Sequence, residues 1–243
     1  MNRILFEKSE IKGDVAECGG ERAGHILEVL HGEVGQTLKT GEIDGKIGTG
    51  EIIEIDSANK IVRVRVKHDE EPLAPWVDLI LAPPRPRVMK RLLPQLVTLG
   101  VGTIYLVGAE KVEKDFWGAT LLKEENYRPL FIDGLMQCGT TAMPKIECRK
   151  SFRRFLKDEL PAFVHTRRIV AHPYAADASS TEKTAEQSAD LSKRLLLAIG
   201  PEGGWTDAEV EALEAQGFVR YSLGERILKT DTATIALLAR LGK

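Results

Sequence analysis

Apolar and polar side chains alternate through the first third of the chain and then stop alternating. Gln36-Thr-Leu38-Lys-Thr40, Ile47–Ile55 and Ile61–Val66 place apolar groups at every second position. That is the period of a strand with one buried face and one wet face. Gly41, Asp44-Gly45 and Ser57–Asn59 separate these runs, and Gly41, Gly45, Gly48 and Gly50 read as hairpin punctuation. A short helix is predicted over Glu21–Leu30. Residues 1–70 are therefore expected to form a small β-rich domain, an antiparallel sheet or small barrel. The segment Asp69–Pro75 breaks the pattern, and residues 71–76 are the expected linker.

From residue 77 to 243 the grammar is α/β. Val77–Ala82 and Leu195–Ile199 are continuous apolar runs suited to strands buried on both faces, and Thr103–Val107, Arg168–His172 and Phe218–Ser222 are further strands. Val88–Leu99 has helical spacing, with Pro94 expected to bend it. Leu121–Gln137 reads as a helix interrupted near Pro129, and Ser151 as the cap of a helix reaching about Leu160. Residues 174–190 are polar and small, and read as an exposed, mobile loop. Thr206 and Glu209 form a T-x-x-E capping box, with Val210 and Leu213 facing inward and Gly217 ending the helix. Thr230, Asp231 and Thr232 are candidate caps of a last helix with Ile235, Leu238 and Leu241 as its buried stripe. Alternating strands and helices imply a parallel sheet covered on both faces.

Two of these strands run into glycine-bearing loops, Gly200-Pro201-Glu202-Gly203-Gly204 and Leu223-Gly224-Glu225-Arg226. Such loops build ligand pockets at the carboxyl edge of an α/β sheet, because glycine lets backbone groups approach a ligand closely. No Lys-Ser/Thr pair follows the first loop, so it is not a Walker loop, and no G-x-G-x-x-G follows any strand. Taken alone, the pentapeptide is equally a tight strand-to-helix turn.

Composition changes the picture in one respect. The net charge of −2 is unevenly distributed: residues 1–72 carry 10 basic and 15 acidic side chains, residues 73–168 carry 16 and 10, and residues 169–243 carry 8 and 11. The basic excess lies in Arg85-Pro-Arg87 with Lys90-Arg91, and in Arg149-Lys150 with Arg153-Arg154. Either cluster could hold phosphates or be a solvated helix face. Cys18, Cys138 and Cys148 lack metal-ligand spacing and read as reduced thiols. No apolar run is long enough to span a membrane, and the first residues lack a secretory pattern, so a cytoplasmic location is expected.

The GPEGG loop with Trp205-Thr206-x-x-Glu209, then a strand, LGERILKTDTA (223–233) and a terminal helix, resembles the RsmE family. These are 16S ribosomal RNA (uracil-N3) methyltransferases of the SPOUT class. The similarity is densest over Leu197–Leu241. Leu99-Gly100-Val101, Met136-Gln137-Cys138-Gly139, Pro144-Lys145-Ile146, Arg3–Phe6 and His25–Leu30 resemble shorter family segments. Where the family has arginine after E-Q-x-G this chain has Thr140-Thr141. Met136 and Thr98 replace acidic residues, and His31 replaces an arginine.

The resemblance implies a SPOUT-type parallel sheet with a C-terminal trefoil knot, preceded by a PUA-like β-barrel. It implies S-adenosylmethionine (SAM) as cofactor, 16S rRNA or the small ribosomal subunit as partner, a homodimer, and no membrane or metal. Carried over by residue, the SAM site comprises His172, Pro173, Ile199, Gly200, Pro201, Glu202, Gly203, Gly204, Ser222, Leu223, Gly224, Arg226, Ile227 and Leu228. Arg226 is the candidate for stabilising a uracil anion, and Glu202 and Asp231 are candidates for a base, with capping and loop-bracing roles open to both. Arg3, His25, Arg85, Arg87, Lys90 and Arg91 are the expected RNA contacts. Two alternatives stand beside this reading. One is another SPOUT RNA methyltransferase acting on a different base or a 2′-O-ribose. The other is a non-catalytic RNA-binding factor in ribosome assembly.

Overall fold

In the computed structural model, residues 3–165, 167–174 and 194–242 are described. They divide into two compact units, residues 1–74 with 132–143, and residues 75–131 with 144–243. The mobile-loop expectation falls, beyond Tyr174, outside the described residues.

The first unit is a six-stranded sheet of β1 (Ile4–Phe6), β2 (Ile11–Lys12), β3 (Val15–Cys18), β4 (Thr37–Glu42), β5 (Ile47–Asp56) and β6 (Ile61–Glu70), ordered β1-β4-β5-β6-β3-β2. The alternation in β4 to β6 behaves as expected: Leu38, Thr40, Ile52, Val62 and Val64 are buried, and of their strand neighbours all but Gly41 are partly or fully exposed. They close over Ile4, Phe6, Ala16 and Ile26. Helix α1 (Gly20–Gly24) runs on as a π turn, His25–Val29, over the expected helical segment. Strands β1 to β3 are too short to show a period.

The glycines here correct the sequence reading. Gly41, Gly48 and Gly50 lie inside strands and not in turns. A Cβ at Gly48 would collide with the Lys67 carbonyl, and one at Gly50 with Val64. They are places where neighbouring chain passes too close for a side chain. Residues 139–143 are tied to the β4–β5 hairpin: the Asp44 amide donates to the Thr141 carbonyl (2.8 Å), and the Met143 amide to Asp44 Oδ1 (2.9 Å).

The second unit is a six-stranded sheet in which every pairing is parallel. Its strands are β7 (Val77–Leu81), β8 (Val101–Val107), β9 (Lys145–Arg149), β10 (Arg167–Ala171), β11 (Leu195–Ile199) and β12 (Val219–Tyr221), in the order β12-β10-β11-β7-β8-β9. All residues of β7 and β11 are buried, as their unbroken apolar runs require. Strand β9 was not anticipated, because Lys145, Glu147 and Arg149 interrupt any apolar run.

The helices follow their signals with four corrections. Helix α2 (Pro86–Thr98) begins on a proline and continues through Pro94, and α3 (Glu124–Cys138) continues through Pro129, where an interruption was expected. A proline removes one ladder bond, and each of these helices is long enough to carry that loss. Ser151 does cap a helix, its Oγ accepting from the Arg154 amide, but only α4 (Phe152–Arg154) is α-helical. A π turn and a 3-10 turn then extend to Ala162. Helix α5 (Asp207–Glu214) has the Thr206–Glu209 capping box, with Val210 and Leu213 buried. The last helix, α6 (Thr230–Leu241), has Lys229 at its N-cap position without a side-chain capping bond, and Thr230–Thr232 lie inside its first turn. It buries Thr234, Leu237, Leu238 and Leu241, while Ile235 is exposed.

At the amino edge of this sheet Asp78, with its side chain only 6% exposed, collects three donors. They are the Thr103 amide (2.6 Å), His165 Nε2 (2.8 Å) and Arg194 NH1 (3.0 Å), drawn from β8 and from the segments leading into β10 and β11. Burial pushes the Asp78 carboxyl up, but the His165 hydrogen bond, the Arg194 charge and the Thr103 amide outweigh it and hold it below the ordinary value. A lowered carboxyl pKa contributes stability in full above pH of about 4, lost as pH falls through the folded-state value. Asp78→Asn should therefore cost about 2–4 kcal/mol at pH 7, and the gap from the parent should narrow by pH of about 3. Denaturant unfolding at the two pH values measures this, and an equal gap at both would exclude the charge role.

Candidate active site

The carboxyl ends of β10, β11 and β12 meet at one edge of the second unit, and the loops leaving them enclose a cavity of about 460 Å³. That size suits a single small-molecule ligand. Its walls come from Ala171–Tyr174 after β10, Ile199–Trp205 after β11, Tyr221–Gly224 and Arg226–Leu228 after β12, and one face of α6. All fourteen residues of the expected cofactor site line this cavity. Asp231 is not among its lining residues.

The first loop is shaped by close packing. A Cβ on Gly200 would stand 2.9 Å from the Trp205 nitrogen and 3.2 Å from the Gly204 carbonyl carbon, so the turn closes only around glycine. Gly204 (φ 68°) and Gly224 (φ 117°) occupy the left-handed region that other residues avoid. Trp205 is buried and stacks on Phe152 at 5.3 Å. Two neighbouring loops brace the turn. Glu202 Oε1 accepts from the Arg85 amide (3.0 Å), and Lys111 Nζ donates to the Gly203 carbonyl (2.8 Å). Arg85 is itself fixed by Glu113 at 3.0 Å, whose charge, through that hydrogen bond, raises the guanidinium pKa. Lys111, Tyr174 and Trp205 are lining residues the sequence reading did not select; only folding brings Lys111 to this edge.

The second loop is tied differently. Ser222 Oγ donates to the Pro173 carbonyl (3.0 Å) and accepts from the Gly224 amide (3.1 Å), joining the loops after β10 and β12. His172 Nδ1 accepts from the Tyr174 amide at 3.2 Å, making it part of a local turn. Beyond Ser222 the loop is open: Leu223, Ile227 (72% exposed) and Leu228 face outward, and Arg226 has no side-chain partner among the described residues. Among the candidate charged groups at this edge, Glu202 and Asp231 are engaged. Asp231 Oδ1 accepts from the Thr232 amide, and Oδ2 pairs with Arg91 at 3.2 Å. Arg226 is not engaged.

The expected RNA contacts are scattered. Arg85 and Arg91 pair with Glu113 and Asp231, whereas Arg87 and Lys90 are exposed on α2 without partners among the described residues. In the first unit Arg3 donates to the carbonyls of Gly139, Thr40 and Gly48, and His25 Nε2 is buried with no partner among the described residues. No cluster of His, Cys, Asp and Glu among the described residues is arranged to hold a metal ion. None of the helices there is long and apolar enough to cross a membrane.

Comparison with known proteins places the chain. A family model described as RNA methyltransferase domain matches residues 69–242. A ribosomal RNA small subunit methyltransferase E of Treponema pallidum (strain Nichols) is 31% identical, over 98% of this chain and 90% of its own length. A ribosomal RNA small subunit methyltransferase E 1 of Borreliella burgdorferi is 23% identical over 97% and 95%. Among solved structures, a methyltransferase of Legionella pneumophila in complex with SAM superposes with a TM-score of 0.74, is 25% identical, and covers 98% and 96% of the two chains. A ribosomal RNA small subunit methyltransferase E of Neisseria gonorrhoeae, also bound to SAM, gives 0.76 at 21% identity over 99% and 96% and shares the fold.

The packing separates the two inner glycines. Gly200→Ala forces backbone against backbone and should weaken SAM binding at least tenfold, about 1.4 kcal/mol. Gly203→Ala meets only the flexible end of Lys111 and should change affinity less than about threefold, well under that 1.4 kcal/mol. Titration calorimetry reads both; equal losses would refute the packing argument.

Proposed function

The chain belongs to the RNA methyltransferase domain family, among the ribosomal RNA small subunit methyltransferase E proteins, and from that premise we propose that it transfers a methyl group from SAM to N3 of a uridine in 16S rRNA. The observation that carries this is the cavity: two glycine-bearing loops, one braced and one open, converge on it at the carboxyl edge of the parallel sheet. SAM supplies a methyl group activated by its sulfonium. The residues present suit it. Apolar Ile199, Leu223, Ile227, Leu228 and Leu237 can hold an adenine, and the glycines leave backbone amides and carbonyls within reach of its polar edge. On this reading Ile199, Gly200, Gly204, Leu223, Gly224, Ile227 and Leu228 hold the cofactor mainly through their backbones, with His172 and Pro173 on the adenosine side.

A neutral uracil bears a proton on N3, so the site must favour the anion, whose charge spreads to O2 and O4. Arg226 is the cavity-lining cation with no partner among the described residues, and we assign it to that charge. Glu202 and Asp231 serve as loop braces, since both already accept hydrogen bonds at this edge. The first unit we assign as the PUA-like RNA-gripping domain. The strand order, with β11 inserted between β10 and β7, supports a knotted C-terminal segment of the SPOUT type. A ribosomal RNA substrate implies a cytoplasmic location.

Arg226→Ala should slow methyl transfer by a factor of about 10²–10³ while leaving SAM affinity within about threefold, under 1 kcal/mol. Single-turnover assays on unmethylated small subunits test this, and unchanged turnover would remove Arg226 from the mechanism. Mass spectrometry of small-subunit RNA from a deletion strain tests the target: one methyluridine should vanish and return with the gene. The exposed Leu223, Ile227, Leu228 and Ile235 side chains support a homodimer joined beside the cavity. Ile227→Asp should yield monomers by light scattering, and a persistent dimer would place the interface elsewhere.

A further inference from the structure

A second concavity, about 380 Å³, lies on the same edge of the second unit, between α5 and the segment that begins at Ser151. Its apolar side is Phe152, Leu156, Ala208 and Ala212, and its rim carries Lys150 and Arg153. Both cations are exposed and have no side-chain partner among the described residues. Two carboxylates also lie there. Glu209 is committed, its oxygens accepting from the Glu110 and Thr206 amides (2.8 and 2.9 Å), and Glu110 itself is exposed. The walls are firm. The Gly108 amide donates to the Arg149 carbonyl (2.9 Å), and a Cβ on Gly108 would run into the Lys150 carbonyl, so the loops after β8 and β9 are pressed together.

This groove adjoins the cofactor cavity. Glu110 lines the groove and Lys111 the cavity; Thr206 lines the groove and Asp207 the cavity. Phe152, on the groove side, stacks on Trp205, on the cavity side. An apolar surface flanked by uncommitted cations is what a single-stranded nucleotide requires, with the ribose or base against the floor and the phosphate at the rim. In the first unit Arg22, Arg63 and Arg65 are each paired with a carboxylate, while Lys8, Lys12 and Lys39 are exposed without a partner among the described residues.

We propose that this groove binds a nucleotide of the substrate RNA flanking the methylated one, with its phosphate held by Lys150 and Arg153. The proposal rests on the RNA methyltransferase reading above. It assigns the second basic cluster a substrate-positioning role that leaves the cofactor site untouched.

The test compares three variants of the full chain with the parent: Lys150→Ala with Arg153→Ala; Ala212→Leu, which fills the floor without removing charge; and Lys114→Ala with Lys157→Ala, which removes two exposed cations outside the groove. Each is titrated with SAM, then with a short single-stranded RNA over a range of salt, and assayed on unmethylated small subunits. The first two should bind RNA at least tenfold more weakly and raise KM with SAM affinity unchanged. The first should also flatten the log–log salt slope by about 0.7 for each phosphate no longer neutralised. The control pair should bind RNA less than about threefold more weakly, under 1 kcal/mol. Equal weakening in groove and control variants would reduce the effect to general charge and overturn the groove. So would groove variants that bind RNA normally but fail only on assembled subunits, which would point to a ribosomal protein. A parent that methylates no RNA would bring down the functional reading itself, an outcome visible before any variant is made.

Discussion

The position of β11 between β7 and β10 is the constraint on which the site depends. Its five residues are buried, pairing Leu195 with Val77 and Arg167 at one end, and Ile199 with Leu81 at the other. A slip of one residue would exchange the faces of every side chain in the strand and carry Arg194 and Gly200 out of place. In register, Arg194 is delivered to Asp78 at one end and Gly200 to Trp205 at the other. The contact to the buried Asp78 and the glycine turn thus stand at opposite ends of β11.

Charge is handled differently in the two units. In the first, Arg63 and Arg65 on β6 meet Glu17, Glu54, Asp14 and Glu51 on neighbouring segments, so an outward row of cations is neutralised locally. Exposed pairs of this kind add little stability. In the second unit several basic side chains, Arg87, Lys90, Lys150, Arg153 and Arg226, remain unpaired among the described residues. A net charge summed over the chain conceals this division.

The sequence revealed most where local chemistry is sufficient. Thr206 and Glu209 announce their capping box, Leu195–Ile199 its burial, and the glycine loops their place at the strand ends, because each depends on residues close in the chain. What escaped depends on distant neighbours. Strand β9 alternates charged residues with Ile146 and Cys148 and is recognisable only beside β8. Ile235 has the right spacing for a buried stripe, yet the packed face of α6 is turned toward Thr234 and Leu238. Gly48 and Gly50 look like turns until the strand that crosses them is known. Helix α3 runs through Pro129, where an interruption was expected, because its buried Phe131 and Leu135 outweigh one missing hydrogen bond.

Residues 139–143 depart from the RsmE pattern at Thr140, where the family has an arginine. The Thr140 hydroxyl donates to the Leu73 carbonyl (3.2 Å). Thr141 is fully buried, its hydroxyl donating to the Gly45 carbonyl while its own carbonyl accepts from the Asp44 amide. Arg3 completes the attachment through the Gly139 carbonyl. The segment therefore anchors its own unit through backbone and hydroxyl contacts.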